Sequence, residues 1–76
     1  MKAFILVNIR TGDIENVVAH LKRVDGVTEA YMTFGPYDAL AVIEAKAVED
    51  LGRTLAKQIQ PIPGVQETLT CIAVGS

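Results

Sequence analysis

Two short polar constellations in an otherwise apolar chain have the residue types to hold a ligand. The first is Gly35-Pro36-Tyr37-Asp38, set between the strand-like runs "YMTF" and "ALAVI". A hairpin needs only a turn there, and Asn-Gly or Asp-Gly makes a tighter one. Glycine bares backbone N–H groups toward a ligand carboxylate. Asp38 offers an anion for an ammonium group, and Tyr37 an apolar wall with a hydroxyl. These groups complement the two charged ends of a free α-amino acid. The second constellation is Thr68 and Thr70, whose hydroxyls would lie on one face of a strand and could hydrogen-bond a polar ligand at a subunit seam. Plainer readings stand beside both. Gly and Pro set hairpin dihedrals while Asp38 bonds nearby backbone, and threonine is simply a good strand former.

The remaining reactive side chains make a weak case for an enzyme. His20 is the only histidine and falls off the apolar stripe of its helix, with no carboxylate or cysteine nearby in sequence to work with. Cys71 alternates with Val65, Leu69 and Ala73 and reads as a small core residue. Glu49 and Asp50 diverge by about 100° on a helix and suit the positive field of its first turn. No metal-ligand spacing, phosphate-type glycine loop or nucleophile elbow occurs. The expectation is no catalytic residue, no metal and no cofactor.

Positioning the two constellations requires a sheet. "KAFILVNI" is apolar on both faces at its centre: Ala3, Ile5, Val7 and Ile9 point one way, Phe4 and Leu6 the other. A strand of that kind is covered on both sides. Ile14, Val17, Val18, Leu21 and Val24 then recur at helical spacing, with Thr11 or Gly12 as cap and Gly26 as stop. Strands are expected over about Val27–Phe34, Asp38–Ala45 and Val65–Val74. A second helix is expected over Val48–Ile59, with Val48, Leu51, Leu55 and Ile59 on one face and Gly52 giving that face close approach to the sheet. Pro61 and Pro63 end it. "VDGVTEA" and "IPGVQET" share Gly-Val-x-Glu after each helix, a faint internal repeat.

The order β-α-β-β-α-β predicts an α+β, ferredoxin-like fold: a four-stranded antiparallel sheet with two helices on one face. The uncovered face carries Phe4 and Leu6, so it should meet another copy and form a dimeric α+β barrel. With 76 residues there is room for one domain, spanning 1–76. Half of the residues are hydrophobic, more than so small a core can hide, and the excess points to partner subunits. A net charge of −2 and seven scattered basic residues argue against direct nucleic-acid binding. The apolar run Ala3–Val7 is too short for a membrane span or leader. A lone cysteine suits a reducing, cytoplasmic setting.

"TFGPYDALAVIEA", a helix, and then "IPGVQETLTCIAV" resemble the ligand-binding RAM domain (regulation of amino acid metabolism) of the leucine-responsive regulatory protein/AsnC transcription factors. The resemblance covers nearly the whole chain and rests on the G-x-Y-D loop together with the PGV-x-x-T-x-T ending. It implies a ferredoxin-like subunit that dimerises through its sheet, dimers that associate into rings such as octamers, and amino-acid effectors bound between dimers. By motif, Gly35, Tyr37 and Asp38 would form the effector loop, and Thr68 and Thr70 would complete the site. That family carries a helix-turn-helix segment ahead of this domain. Since the chain starts at the first strand, a stand-alone domain is expected, one that senses amino acids and acts on a full-length regulator by mixed assembly. Two other classes remain open: a small dimeric α+β barrel enzyme of the monooxygenase or isomerase type, and an assembly domain without ligand.

Overall fold

Alternation along the first strand decides where the core lies. A computed structural model describes residues 1–75. In it β1 (Lys2–Ile9) buries Ala3, Ile5, Val7 and Ile9 beneath the helices and leaves Phe4 and Leu6 half-buried on the opposite face. The other elements are α1 (Ile14–Leu21), β2 (Val27–Met32), β3 (Ala39–Glu44), α2 (Val48–Thr54) and β4 (Val65–Ile72), with a π-helical turn Leu55–Ile59 extending α2. The four strands form one antiparallel sheet in the order β2-β3-β1-β4. This is the expected ferredoxin-like arrangement.

Small side chains set how closely the helices approach. Ala3, Ala30, Ala39 and Ala41 are all buried in the sheet, and Leu21, Val17 and Ile59 fill the space they leave. Each fully buried aliphatic side chain of that size contributes about 1.5–3 kcal/mol.

The Gly-Val-x-Glu repeat is a structural repeat. Leu21, Val24 and Val27 in one half correspond to Ile59, Ile62 and Val65 in the other. Val24 N donates to Leu21 O at 3.2 Å and Ile62 N to Ile59 O at 3.1 Å. Val27 N then donates to Val24 O, and Val65 N to Ile62 O, both at 3.1 Å. Gly26 and Gly64 take φ of 92° and 101°, open only to glycine at low cost. Immediately after them the ladder slips by one residue in both halves. Thr28 is passed over between Val27↔Ile43 and Glu29↔Val42, and Gln66 between Ile9↔Val65 and Asn8↔Glu67. Both slips are β-bulges, with two residues facing one.

Several expectations need correction. Cys71 is exposed, not a core residue. The bulge at Gln66 breaks the alternation, so Val65 packs on the core while Cys71 pairs with Phe4 on the uncovered face. Gly52 does not approach the sheet: it is exposed, and a Cβ built on it meets nothing within 4 Å. Val48, one helical row with Gly52, is 58% exposed, and the buried row is Leu51, Leu55 and Ile59. Helix two does reach Ile59, but its last turn widens, with Gln60 N donating to Leu55 O at 2.8 Å. Asp13, not Thr11 or Gly12, precedes the first turn of α1, and its carboxylate pairs with Arg10 at 2.9 Å instead of capping. β1 has its expected bounds, whereas β2, β3 and β4 are each two residues shorter than expected.

The uncovered face is apolar as anticipated. Register places Leu6 between Leu40 and Leu69, and Phe4 between Val42 and Cys71. At its margin the Tyr31 hydroxyl donates to Glu29 Oε1 at 2.5 Å. That bond and the charge of Glu29 raise the Tyr31 pKa above the ordinary tyrosine value.

Candidate functional site

Loop 33–38 is built by hydrogen bonds that begin where β2 ends. Thr33 N donates to Asp38 O at 3.0 Å, closing the hairpin. The Thr33 hydroxyl donates to Tyr37 O at 2.8 Å, holding the second half of the loop against the first. Asp38 N donates to Val7 O at 2.9 Å, one step beyond the Val7↔Ala39 pair. There β3 runs out, and the Asp38 carboxylate takes over as acceptor: Ile9 N donates to its Oδ2 at 2.8 Å. The other carboxylate oxygen accepts no hydrogen bond among the described residues. Gly35 is exposed with φ 155°, and a Cβ built on it would meet nothing within 4 Å. Tyr37 is half-buried beside it.

Thr68 and Thr70 are half-buried on the helix-facing side of β4, opposite Val7 and Ile5. They lie away from Leu69 and Cys71 as expected, but the sides are exchanged: the bulge at Gln66 turns the threonines, not Leu69 and Cys71, toward the helices. Gln60, carried past the end of the π-helical turn, donates its Nε2 to Thr68 Oγ1 at 3.3 Å. Val7 therefore has Ala39, next to Asp38, on one flank and Thr68 on the other. Asp38 and Thr68 stand two strands apart at the same end of the sheet, while Thr70 lies two residue pairs further in.

None of the main surface grooves is lined by Gly35, Tyr37, Asp38, Thr68 or Thr70. The one between the ends of the two helices, about 320 Å³, is lined by His20, Arg23, Lys57 and the Pro61–Pro63 turn. Its basic residues sit at helix C-termini, where the backbone field favours cations. The predicted residues thus lie as two separate, partly open clusters rather than in an enclosed pocket. Among the described residues no group of three or more His, Cys, Asp or Glu is placed to hold a metal. No helix is long and apolar enough to cross a membrane.

The hydrogen bonds that Thr33 and Gln60 make to the predicted residues were not legible in the sequence. Thr33 could have been suspected from a hydroxyl at the mouth of a turn. Gln60 could not, because the widened turn that carries it has the same Leu55/Ile59 spacing as an ordinary helix.

Residues 2–76 match the family model of the Lrp/AsnC ligand-binding domain. The chain belongs to the Lrp/AsnC family. Among its relatives, the HTH-type transcriptional regulator FL11 of Pyrococcus horikoshii is 38% identical over 97% of this chain and 48% of its own length. The structure of Escherichia coli AsnC superposes with a TM-score of 0.92 at 30% identity, covering 99% of this chain and 51% of that one. A hypothetical protein from Pyrococcus horikoshii, PHS023, gives a TM-score of 0.90 at 32% identity, over 99% of this chain and 90% of its own. This Lrp/AsnC chain spans about half the length of the curated relatives it matches. FL11 is an HTH-type transcriptional regulator and Escherichia coli AsnC a regulatory protein.

Proposed function

We propose that this chain is the effector-binding module of a regulatory assembly and that its effector is a free amino acid. The observation that carries the reading is the Lrp/AsnC ligand-binding-domain match along residues 2–76. The loop supports it chemically. Asp38 is held in place by one oxygen and keeps the other for an ammonium group. The exposed backbone around Gly35 offers donors to a carboxylate, and Tyr37, half-buried two residues on, offers a ring and a hydroxyl. Thr68 and Thr70 add hydroxyls from β4, with Gln60 orienting Thr68.

Because these groups form open half-sites in one chain, a second copy completes the pocket. The apolar face around Leu6 and Phe4 supplies a first contact between copies, and the hairpin end of the sheet a second. Such a module works in the cytoplasm without metal or catalytic group, on the regulator to which it belongs or with which it assembles. DNA contact falls to another domain, since the domain's charge of −2 suits no phosphate backbone.

Calorimetric titration with each of the twenty amino acids tests this. Saturable heat from at least one of them at millimolar concentration or below is expected. Silence from all twenty would leave a domain that assembles without an effector.

A further inference from the structure

The groove of about 320 Å³ between the helix ends is lined by three basic side chains and no acidic one. Arg23 and Lys57 are exposed, and His20 is half-buried. This is a positive patch on a chain whose net charge is −2. The field at the helix C-termini favours cations there, yet the last carbonyls do not need them as partners. His20 O accepts from Arg23 N at 2.9 Å, Leu55 O from Gln60 N at 2.8 Å, and Ile59 O from Ile62 N at 3.1 Å. Among the described residues the ion pairs join Arg10 to Asp13 and Arg53 to Asp50, so neither Arg23 nor Lys57 has an acidic partner. Lys57 comes from the π-helical turn Leu55–Ile59, and such turns recur at functional sites. Between the cations the floor is apolar: Val24 and Ile62 are buried, and Pro61 and Pro63 complete the lining.

We propose that this groove binds a small phosphate-bearing molecule with an apolar or ring-shaped body. Two permanently charged side chains suit the double charge of a phosphate monoester, and the fork of Arg23 can give it two parallel hydrogen bonds. The proline-lined floor takes the uncharged part. A compact ligand fits better than an extended acidic segment. The trough continues past His20 and Arg23 toward Arg10, Asn16 and Asp13. There the Asp13 carboxylate holds Arg10 at 2.9 Å. A run of acidic residues laid along the trough would meet that carboxylate. Unopposed positive charge is therefore confined to the end that holds Arg23 and Lys57, whose volume matches the smaller small-molecule pockets, roughly 300 Å³. The groove shares no residue with the Gly35–Asp38 loop or with Thr68 and Thr70, so this site is separate from the amino-acid site.

His20 is the only histidine of the chain, so its imidazole C2 proton gives a single magnetic-resonance signal from inside the groove. Titration with adenosine monophosphate should move that signal along a saturating curve at millimolar concentration or below. Adenosine, which lacks the phosphate, should leave it in place. Arg23→Gln and Lys57→Gln should each weaken the nucleotide by about threefold, the scale of an exposed charge pair, and the double variant by about tenfold. Lys46→Gln removes the same charge outside the groove and should bind as the parent does. All of these side chains are exposed, so each variant should melt at the parent's temperature. A titration that never saturates, adenosine that shifts His20 as far as the nucleotide does, unchanged affinity in the double variant, or equal weakening by Lys46→Gln would each overturn the proposal. So would a tetraglutamate peptide that binds more tightly than the nucleotide, because the groove would then be a docking site for an acidic protein segment.

Discussion

Asp38 and Ile9 are joined by a hydrogen bond of 2.8 Å from the main-chain N–H of Ile9 to Oδ2 of the carboxylate. This side chain therefore completes the β1–β3 ladder where β3 ends, whether or not it also meets a ligand. Its structural and binding roles separate by substitution. Asp38→Ala removes the acceptor from a part-buried N–H and should cost about 1–3 kcal/mol of stability. Asp38→Asn keeps an oxygen for Ile9 and should hold most of that stability, yet lose about 2–4 kcal/mol of amino-acid affinity with the charge. Melting curves and calorimetry on both variants check this. An Asp38→Asn chain that binds like the parent would remove Asp38 from the site.

Leu6 lies between Leu40 and Leu69 on the sheet face that no helix covers. Leu6→Lys places a charge at the middle of that face. Association of two copies through the sheet should weaken by about 2 kcal/mol or more, while the helix-facing core is untouched. Sedimentation equilibrium together with far-UV circular dichroism reads both quantities. Persistence of the parent dimer at the same concentrations would place the interface elsewhere.

Gly64 and Gly12 both have positive φ, 101° and 96°, but they differ in surroundings. A Cβ built on Gly64 falls 2.7 Å from Asp13 Cβ, whereas one on Gly12 meets nothing within 4 Å. Gly12→Ala should therefore cost only the backbone strain of about 1–2 kcal/mol. Gly64→Ala should cost more, because it also pushes apart Asp13 and the turn that enters β4. Denaturant midpoints of the two variants decide the matter. Equal losses would mean that the Asp13 contact is not why glycine stands there.

Much of the fold was readable because local chemistry repeats. Gly-Val-x-Glu after each helix marks the same sequence of events: a glycine at positive φ, a valine on the core, one residue passed over, then pairing resumed. The repeat was visible, but the passed-over residue was not. A strict count of two through Gln66 is what put Cys71 into the core. Helix two failed for a related reason. Val48 fits the apolar stripe by spacing, and only packing reveals that its row with Gly52 faces water. At the site, residue types were legible in Gly35, Tyr37 and Asp38, since a hairpin needs none of that chemistry. The bond from Ile9 to Asp38 was not, because its partners are 29 residues apart.

The paired bulges have a consequence for solubility. β2 and β4 are the two margins of the sheet, and each opens with its ladder out of step, at Thr28 and at Gln66. A bulge bends and twists the strand that carries it, spoiling the flat template on which a further strand would add. Edge-to-edge growth into an endless ribbon is thereby obstructed at both sides. Copies that associate would then do so through faces, contacts that can close on themselves and stop.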